Sequence, residues 1–224
     1  MKLERSAIEL AAGSDEARIT TYSDSSWTTA IDGTGAGSSG VVAASTASQI
    51  TVSGTVDETL TFCTGTSGIT SSSCAGATGT SAGLGTLSTS SAKTSTSQIG
   101  VATNAGSGYA ITYTGATLTS GSNTIAACSS GCTSSTGSGQ YGFNLRANTS
   151  PSVGSNPAGA GLANPVANYN TNNTFRFATG DTVVSNSSAD DFRLFTVAYL
   201  ANIANTTPAG IYSSTVTWVA TPTF

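Results

Sequence analysis

Four cysteines, eleven carboxylates and no histidine limit the chemistry open to this 224-residue chain. Without an imidazole there is no Ser-His-Asp or Cys-His arrangement to activate a nucleophile, and no His-ligated zinc to activate water. The cysteines fall as two close pairs, Cys63/Cys74 and Cys128/Cys132. An even count in a Ser/Thr-rich chain reads as disulfides and an oxidising compartment. Four cysteines allow three pairings, and proximity favours Cys63–Cys74 and Cys128–Cys132. Each closure stabilises by roughly 2–3 kcal/mol in the chain-entropy account. Zinc is the competing use of the thiols, but Cys128-Ser-Ser-Gly-Cys132 lacks the usual ligand spacing.

Four of the acids lie within the first 18 residues. The others are Asp24, Asp32, Asp57, Glu58, Asp181, Asp190 and Asp191. Glycoside hydrolysis needs two opposed carboxylates. Asp57-Glu58 and Asp190-Asp191 are adjacent pairs, and neighbours in a strand point to opposite faces. They read as solvated strand ends, and no enzyme activity is expected. Oxygen-rich calcium coordination is a better use for acids. Asp181, Asp190 and Asp191 flank a Ser/Asn-rich loop and are the calcium candidates, without DxDxDG spacing. No other cofactor is expected. Gly33-Thr-Gly-Ala-Gly37 is followed by no Gly-Lys-Ser/Thr and reads as turn or linker glycine. Trp27, Tyr22, Tyr169 and Tyr212 are candidates for an exposed sugar-binding face, with Trp218 assigned to the core. Sequons at Asn148, Asn172, Asn186 and Asn205 are candidate glycosylation sites.

The elements that would hold these groups are strands. Only 8% of residues are charged, against about 25% in ordinary domains, so Ser, Thr, Asn and Gly supply the polarity. The net charge is −4, and Lys93 is the sole basic residue between Arg18 and Arg146. Nucleic-acid binding needs clustered Lys and Arg at the phosphates and is set aside. No apolar run is long enough to span a membrane. Met1-Lys-Leu-Glu-Arg5 leads into Ser and Ala rather than an apolar h-region, so no signal peptide is expected there. Residues 1–18 are densely charged. Leu3, Ala7, Leu10 and Ala11 have helical spacing, whereas Ile8, Leu10 and Ala12 fit an extended arm. From residue 49 the period is two: Ile50, Val52, Val56, Leu60 and Phe62 all occupy even positions. Further strands are expected at 99–103, 109–113, 140–147, 174–177, 191–203 and 211–224. Apolar residues on both faces of 191–203 predict a central strand. The expected fold is an all-β sandwich of Greek-key or jelly-roll type, residues 49–224, behind an N-terminal arm, residues 1–48. The Ser/Thr/Gly loops 64–84 and 120–139 each contain or abut a cysteine pair.

The region from about residue 49 to 224 resembles secreted Ser/Thr-rich β-sandwich surface proteins of ultrasmall, candidate-phyla bacteria. The resemblance rests on Ile50-Thr-Val-Ser-Gly-Thr-Val-Asp-Glu-Thr-Leu-Thr-Phe-Cys63, Gly108-Tyr-Ala-Ile-Thr-Tyr113 and Gln140-Tyr-Gly-Phe-Asn-Leu145. It rests also on the closing Ala209-Gly-Ile-Tyr-Ser-Ser-Thr-Val-Thr-Trp218. It implies an extracellular, cell-surface location and no particular chemistry. A looser similarity is to fimbrial subunits and to WxL-type surface domains. Trp218 is followed by Val219-Ala220 rather than by Trp-x-Leu, so peptidoglycan binding of the WxL type does not carry over.

Inert composition and a chemically distinct N-terminal segment lead to one expectation: a subunit of an extracellular filament or surface layer. Its partners would be copies of itself, joined head-to-tail. The arm of one subunit would pair with an open sheet edge of the next, with Leu3, Ile8, Leu10, Ile19, Val41 or Val42 as anchors. Burying four or five such side chains is worth roughly 6–15 kcal/mol before ordering costs. The alternative is a monomeric adhesin or carbohydrate-binding domain with glycan partners.

Overall fold

The computed structural model describes residues 5–10, 16–22, 26, 40–43 and 50–224. They belong to two compact units, Met1–Thr55 and Val56–Phe224. In the first, β1 (Arg5–Leu10), β2 (Glu16–Tyr22) and β3 (Gly40–Ala43) form an antiparallel sheet in the order β1-β2-β3. Ile8 stands opposite Ile19, and Leu10 opposite Ala17, which in turn faces Val42. Of the two alternatives at the N-terminus, residues 5–10 take the extended one. A helix this short is marginal on its own, whereas a strand gains a ladder partner in Ile19-Thr-Thr-Tyr22. Leu3, Trp27 and the Gly33–Gly37 stretch lie outside the described residues.

The second unit is all-β. One sheet has the order β4-β5-β13-β9 and the other β12-β6-β14. Their strands are β4 (Leu60–Gly65), β5 (Lys93–Thr103), β6 (Tyr109–Gly115), β9 (Gln140–Asn144), β12 (Thr182–Asn186), β13 (Asp190–Asn202) and β14 (Val216–Pro222). Two short ribbons complete the set: β7 (Thr119–Ser120) with β8 (Asn123–Thr124), and β10 (Asn148–Thr149) with β11 (Ser152–Val153). Of the chain connections between the seven main strands, β4–β5 alone stays within one sheet. The others cross, so the two sheets close over one core as a sandwich. Ile99, Val101, Phe143, Phe195 and Val197 from the first sheet meet Ile111, Tyr113 and Val184 from the second, and all are fully buried.

Alternation explains most of this. β13 is interior to its sheet and pairs with β5 over Asp190–Ala201 and with β9 over Ala198–Asn202. It therefore needs apolar side chains on both faces: Phe195 and Val197 enter the main core, while Ala198 and Leu200 join Phe175 in a second cluster. The Cys63–Cys74 disulfide packs on the sheet where Gly100 leaves room. A Cβ there would lie 2.6 Å from Phe192 and 2.9 Å from Cys63 Sγ.

Two expected strands differ. The even-numbered series from Ile50 enters a sheet only at Leu60. Residues 50–59 form no strand and are exposed, with Ile50 88%, Val52 89% and Val56 86% accessible. Periodicity marks a segment fit for a ladder, but a ladder needs a neighbour, and β5 ends its pairing at Thr103–Leu60. Residues 174–177 make isolated bridges, Cys132–Phe175 and Phe143–Arg176, rather than a strand.

Candidate functional site

Where β4 ends and β14 begins, the sandwich opens into a cleft of about 900 Å³. Its floor is apolar: Tyr141 from β9, Tyr199 from β13, Val216 and Trp218 from β14, with Leu118 and Ile203. Two loop segments form the walls, residues 79–87 and 207–214. Each wall is tied down. Residue 66 donates its backbone N–H to Thr78 O at 2.8 Å, and Ser67 bridges to Thr78. The same hairpin is cross-linked by Cys63–Cys74. On the other wall, Tyr212 Oη donates to Pro208 O at 2.9 Å, and Ser213 exchanges backbone bonds with Thr119. A Cβ at Gly210 would press on Ser120 Oγ, so a larger residue there requires that hydroxyl to turn away. Cys128–Cys132 stands behind the floor: Cys128 N–H donates to Tyr141 O at 2.9 Å.

The lining contains no Asp, Glu, Lys or Arg. Tyr199 lies 3.1 Å from Ser97 Oγ, and burial pushes its phenol up to about 12. Burial raises Tyr141 in the same way. Both phenols are neutral at any ordinary pH, so the cleft is uncharged. Its Ser and Thr hydroxyls have no base beside them among the lining residues. An arrangement of apolar floor, hydroxyl rim and no charged lining residue suits neutral ligands or polypeptide.

The acids are used elsewhere. Asp181 Oδ2 accepts from Arg176 Nε at 2.7 Å and from Tyr169 Oη at 2.9 Å. Burial opposes its charge, but the Arg176 and Tyr169 hydrogen bonds outweigh it and hold the carboxyl below its ordinary range. Asp190 is buried, and accepts from Tyr109 Oη at 3.1 Å, Leu162 N at 2.6 Å and Ala163 N at 3.3 Å. Asp191 Oδ1 accepts its neighbour Phe192 N–H. These bonds bear on the calcium candidates. Asp181, Asp190 and Asp191 do not share one cage, and no three metal-ligating side chains come together among the described residues.

Both disulfides form in the expected pairing, Cys63–Cys74 and Cys128–Cys132. Two other expectations are overturned. Tyr169 is fully buried, with its hydroxyl 3.0 Å from Tyr113 Oη, so it belongs to no exposed face. Tyr212 is half-buried in the cleft wall. Asn148 cannot carry a glycan. It is 5% exposed, and its amide bonds Asn144 Oδ1, Arg146 O and Val153 O. Of the assembly anchors, Ile8 and Leu10 fall in β1, Ile19 in β2, and Val41 and Val42 in β3. The cleft itself was not foreseen. Its one sequence trace is the spacing of Leu84 and Leu87 in an otherwise Gly/Ser/Thr stretch. Comparison with protein-family models, with curated proteins and with solved structures finds no match.

Proposed function

We propose that the protein is a structural subunit of an extracellular filament or surface layer, joined head-to-tail to copies of itself through its N-terminal region. The observation that carries this reading is the exposure of Ile50, Val52 and Val56 on a stretch that forms no strand and that the other described residues do not cover. Three large aliphatic side chains at even spacing are the residue pattern of a strand, here without a sheet. Two disulfides fit an oxidising location. No helix among the described residues is long and apolar enough to cross a membrane. The uncharged cleft, free of any general base, favours a binding and structural role over an enzymatic one.

Edge strands supply the means. β1 lies at the edge of the N-terminal sheet, and β4 and β14 lie at edges of the sandwich, whereas the outer sides of β9 and β12 already bond residues 126–128 and 176 and residues 165–166. An edge strand presents unpaired N–H and C=O groups to a partner, and a contact between different surfaces propagates rather than closing. Sedimentation of the purified, oxidised full chain across a concentration series tests the proposal. Growth into large, unbranched species is expected, with loss of growth when the N-terminal region is removed. A monomer at every concentration would refute it. A monomer that binds oligosaccharides on a glycan array would support the adhesin alternative, for which the aromatic floor of the cleft is the favouring observation.

A further inference from the structure

We infer that the cleft between β4 and β14 receives the Ile50–Val56 segment of a second copy of this chain. This inference rests on the assembly reading above and names the two surfaces that would meet.

The segment and the cleft match in chemistry. Ile50-Thr-Val-Ser-Gly-Thr-Val56 carries no charge, and neither does the cleft lining. Residues 50, 52, 54 and 56 fall on one face of an extended chain, and Thr51, Ser53 and Thr55 on the other. An apolar floor below a Ser/Thr rim is the complement of that alternation. β14 is an edge strand, so its outward backbone groups can continue the ladder into an added strand, with the alternate side chains fixing register.

Exposure is concentrated at the same two places. Seven large hydrophobic residues are exposed among those described: Ile50, Val52, Val56, Leu162, Ile211, Val219 and Phe224. Three belong to the segment and Ile211, at 91%, stands on the cleft wall, while Val219 lies on the face of β14 opposite Val216 and Trp218 and outside the cleft lining. Gly54 adds an independent point. A Cβ there would meet nothing within 4 Å, and its φ is not positive. The described residues give no reason for glycine at 54. A glycine in a strand allows close approach of another backbone, as an incoming strand beside β14 would need.

The point where the segment joins the sandwich is distinct from the cleft. Asn104 holds the root of the segment. Its Oδ1 accepts Thr59 N–H at 2.8 Å, and its Nδ2 donates to Asp57 O at 2.8 Å. Asn104 follows the last residue of β5, beside the Leu60 end of β4. The cleft is at the Gly65 end. The six residues of β4 put roughly 20 Å between root and cleft. The anchoring residues and the cleft are different surfaces, and a contact between different surfaces gives a polar, open-ended chain of subunits.

The test uses two variants of the full chain and their mixture. Val52→Asp spoils the offered segment and leaves the cleft intact. Ile211→Asp spoils the cleft wall and leaves the segment intact. Both positions are exposed, so both variants fold, as circular dichroism will verify. Each is expected to raise the concentration needed for polymer by about 100-fold or more. An equimolar mixture is expected to give a discrete dimer by analytical ultracentrifugation, since one good segment meets one good cleft and growth stops there. Gly54→Leu is expected to behave like Val52→Asp. Wild type that polymerises together with a Val52→Asp variant that polymerises equally well would overturn the inference and leave the assembly reading standing. A mixture that stays monomeric would overturn it too, as would oligosaccharide binding by the Val52→Asp monomer that Ile211→Asp abolishes. Wild type that never assembles would overturn both.

Discussion

Replacing Phe143 by alanine probes the core and the cleft together. The ring is fully buried and has five aromatic neighbours: Tyr113 at 4.9 Å, Tyr169 and Trp218 at 5.3 Å, Tyr199 at 5.8 Å and Phe177 at 6.1 Å between centroids. Truncating a buried phenylalanine costs about 3–5 kcal/mol, through lost transfer energy and the cavity left behind. Individual ring pairs add about 0.5–1.5 kcal/mol, but pairs sharing one ring are not additive, so about 4 kcal/mol is the working figure. In a domain of this size each kcal/mol lowers Tm by roughly 2–4 °C, giving a drop of roughly 8–16 °C. Urea denaturation followed by near-UV circular dichroism measures it, with Phe143→Leu as a milder control at about 1–2 kcal/mol. Trp218 and Tyr199 also line the cleft. Their loss of support should weaken assembly even below the melting transition. A loss under about 1 kcal/mol, with assembly unchanged, would refute the placement of Phe143 at the centre of one continuous aromatic core.

Other perturbations have defined signs. Because the Asp181 carboxyl is held below its ordinary value, its contribution is fully present above the unfolded pKa of about 3.9. It is lost as pH falls through the lower folded value. Stability measured from pH 6 down to pH 2 should fall less steeply in Asp181→Asn than in wild type; parallel curves would contradict the Arg176–Asp181–Tyr169 network. Asp190→Ala leaves three donors without their acceptor and should cost about 3 kcal/mol, whereas Tyr109→Phe should cost about 1 kcal/mol by the same denaturation assay. Reducing the 11-residue separation of Cys63–Cys74 should cost about 3 kcal/mol and the 4-residue separation of Cys128–Cys132 about 2 kcal/mol. Paired Cys→Ser variants measure each, and the first should also loosen the cleft wall at residues 79–87. Expression in a glycosylating host should leave Asn148 unmodified, which mass spectrometry of the tryptic peptide reads directly.

Period two was legible in most of the paired strands, but not in β12 (Thr182–Asn186) or in the Ser/Thr-rich first half of β5. The alternation of Tyr141, Phe143 and Leu145, and the two-faced apolar pattern of β13, gave both the strand and its burial. Cysteine proximity gave both disulfides. What failed depended on groups distant in sequence. Tyr169 resembles any surface tyrosine until Asp181 and Tyr113 are brought to its hydroxyl. Asn148 is a sequon by pattern and a buried amide by its reciprocal bonds with Asn144. Asp190 was a candidate ligand because the backbone donors of Leu162 and Ala163 are invisible 27 or 28 positions away. The cleft walls have Gly, Ser and Thr without period, so nothing local marks them. The series beginning at Ile50 is the informative case. Its pattern specifies a strand, and the partner that would complete the ladder is not supplied by the chain's own described residues.

The most direct measurement is electron microscopy of the oxidised full-length protein, imaged over a concentration series. Unbranched filaments are predicted, with one subunit per axial repeat and density continuous from the Leu60 pole of one sandwich into the β4–β14 cleft of the next. A field of single, monodisperse particles at every concentration would contradict the account.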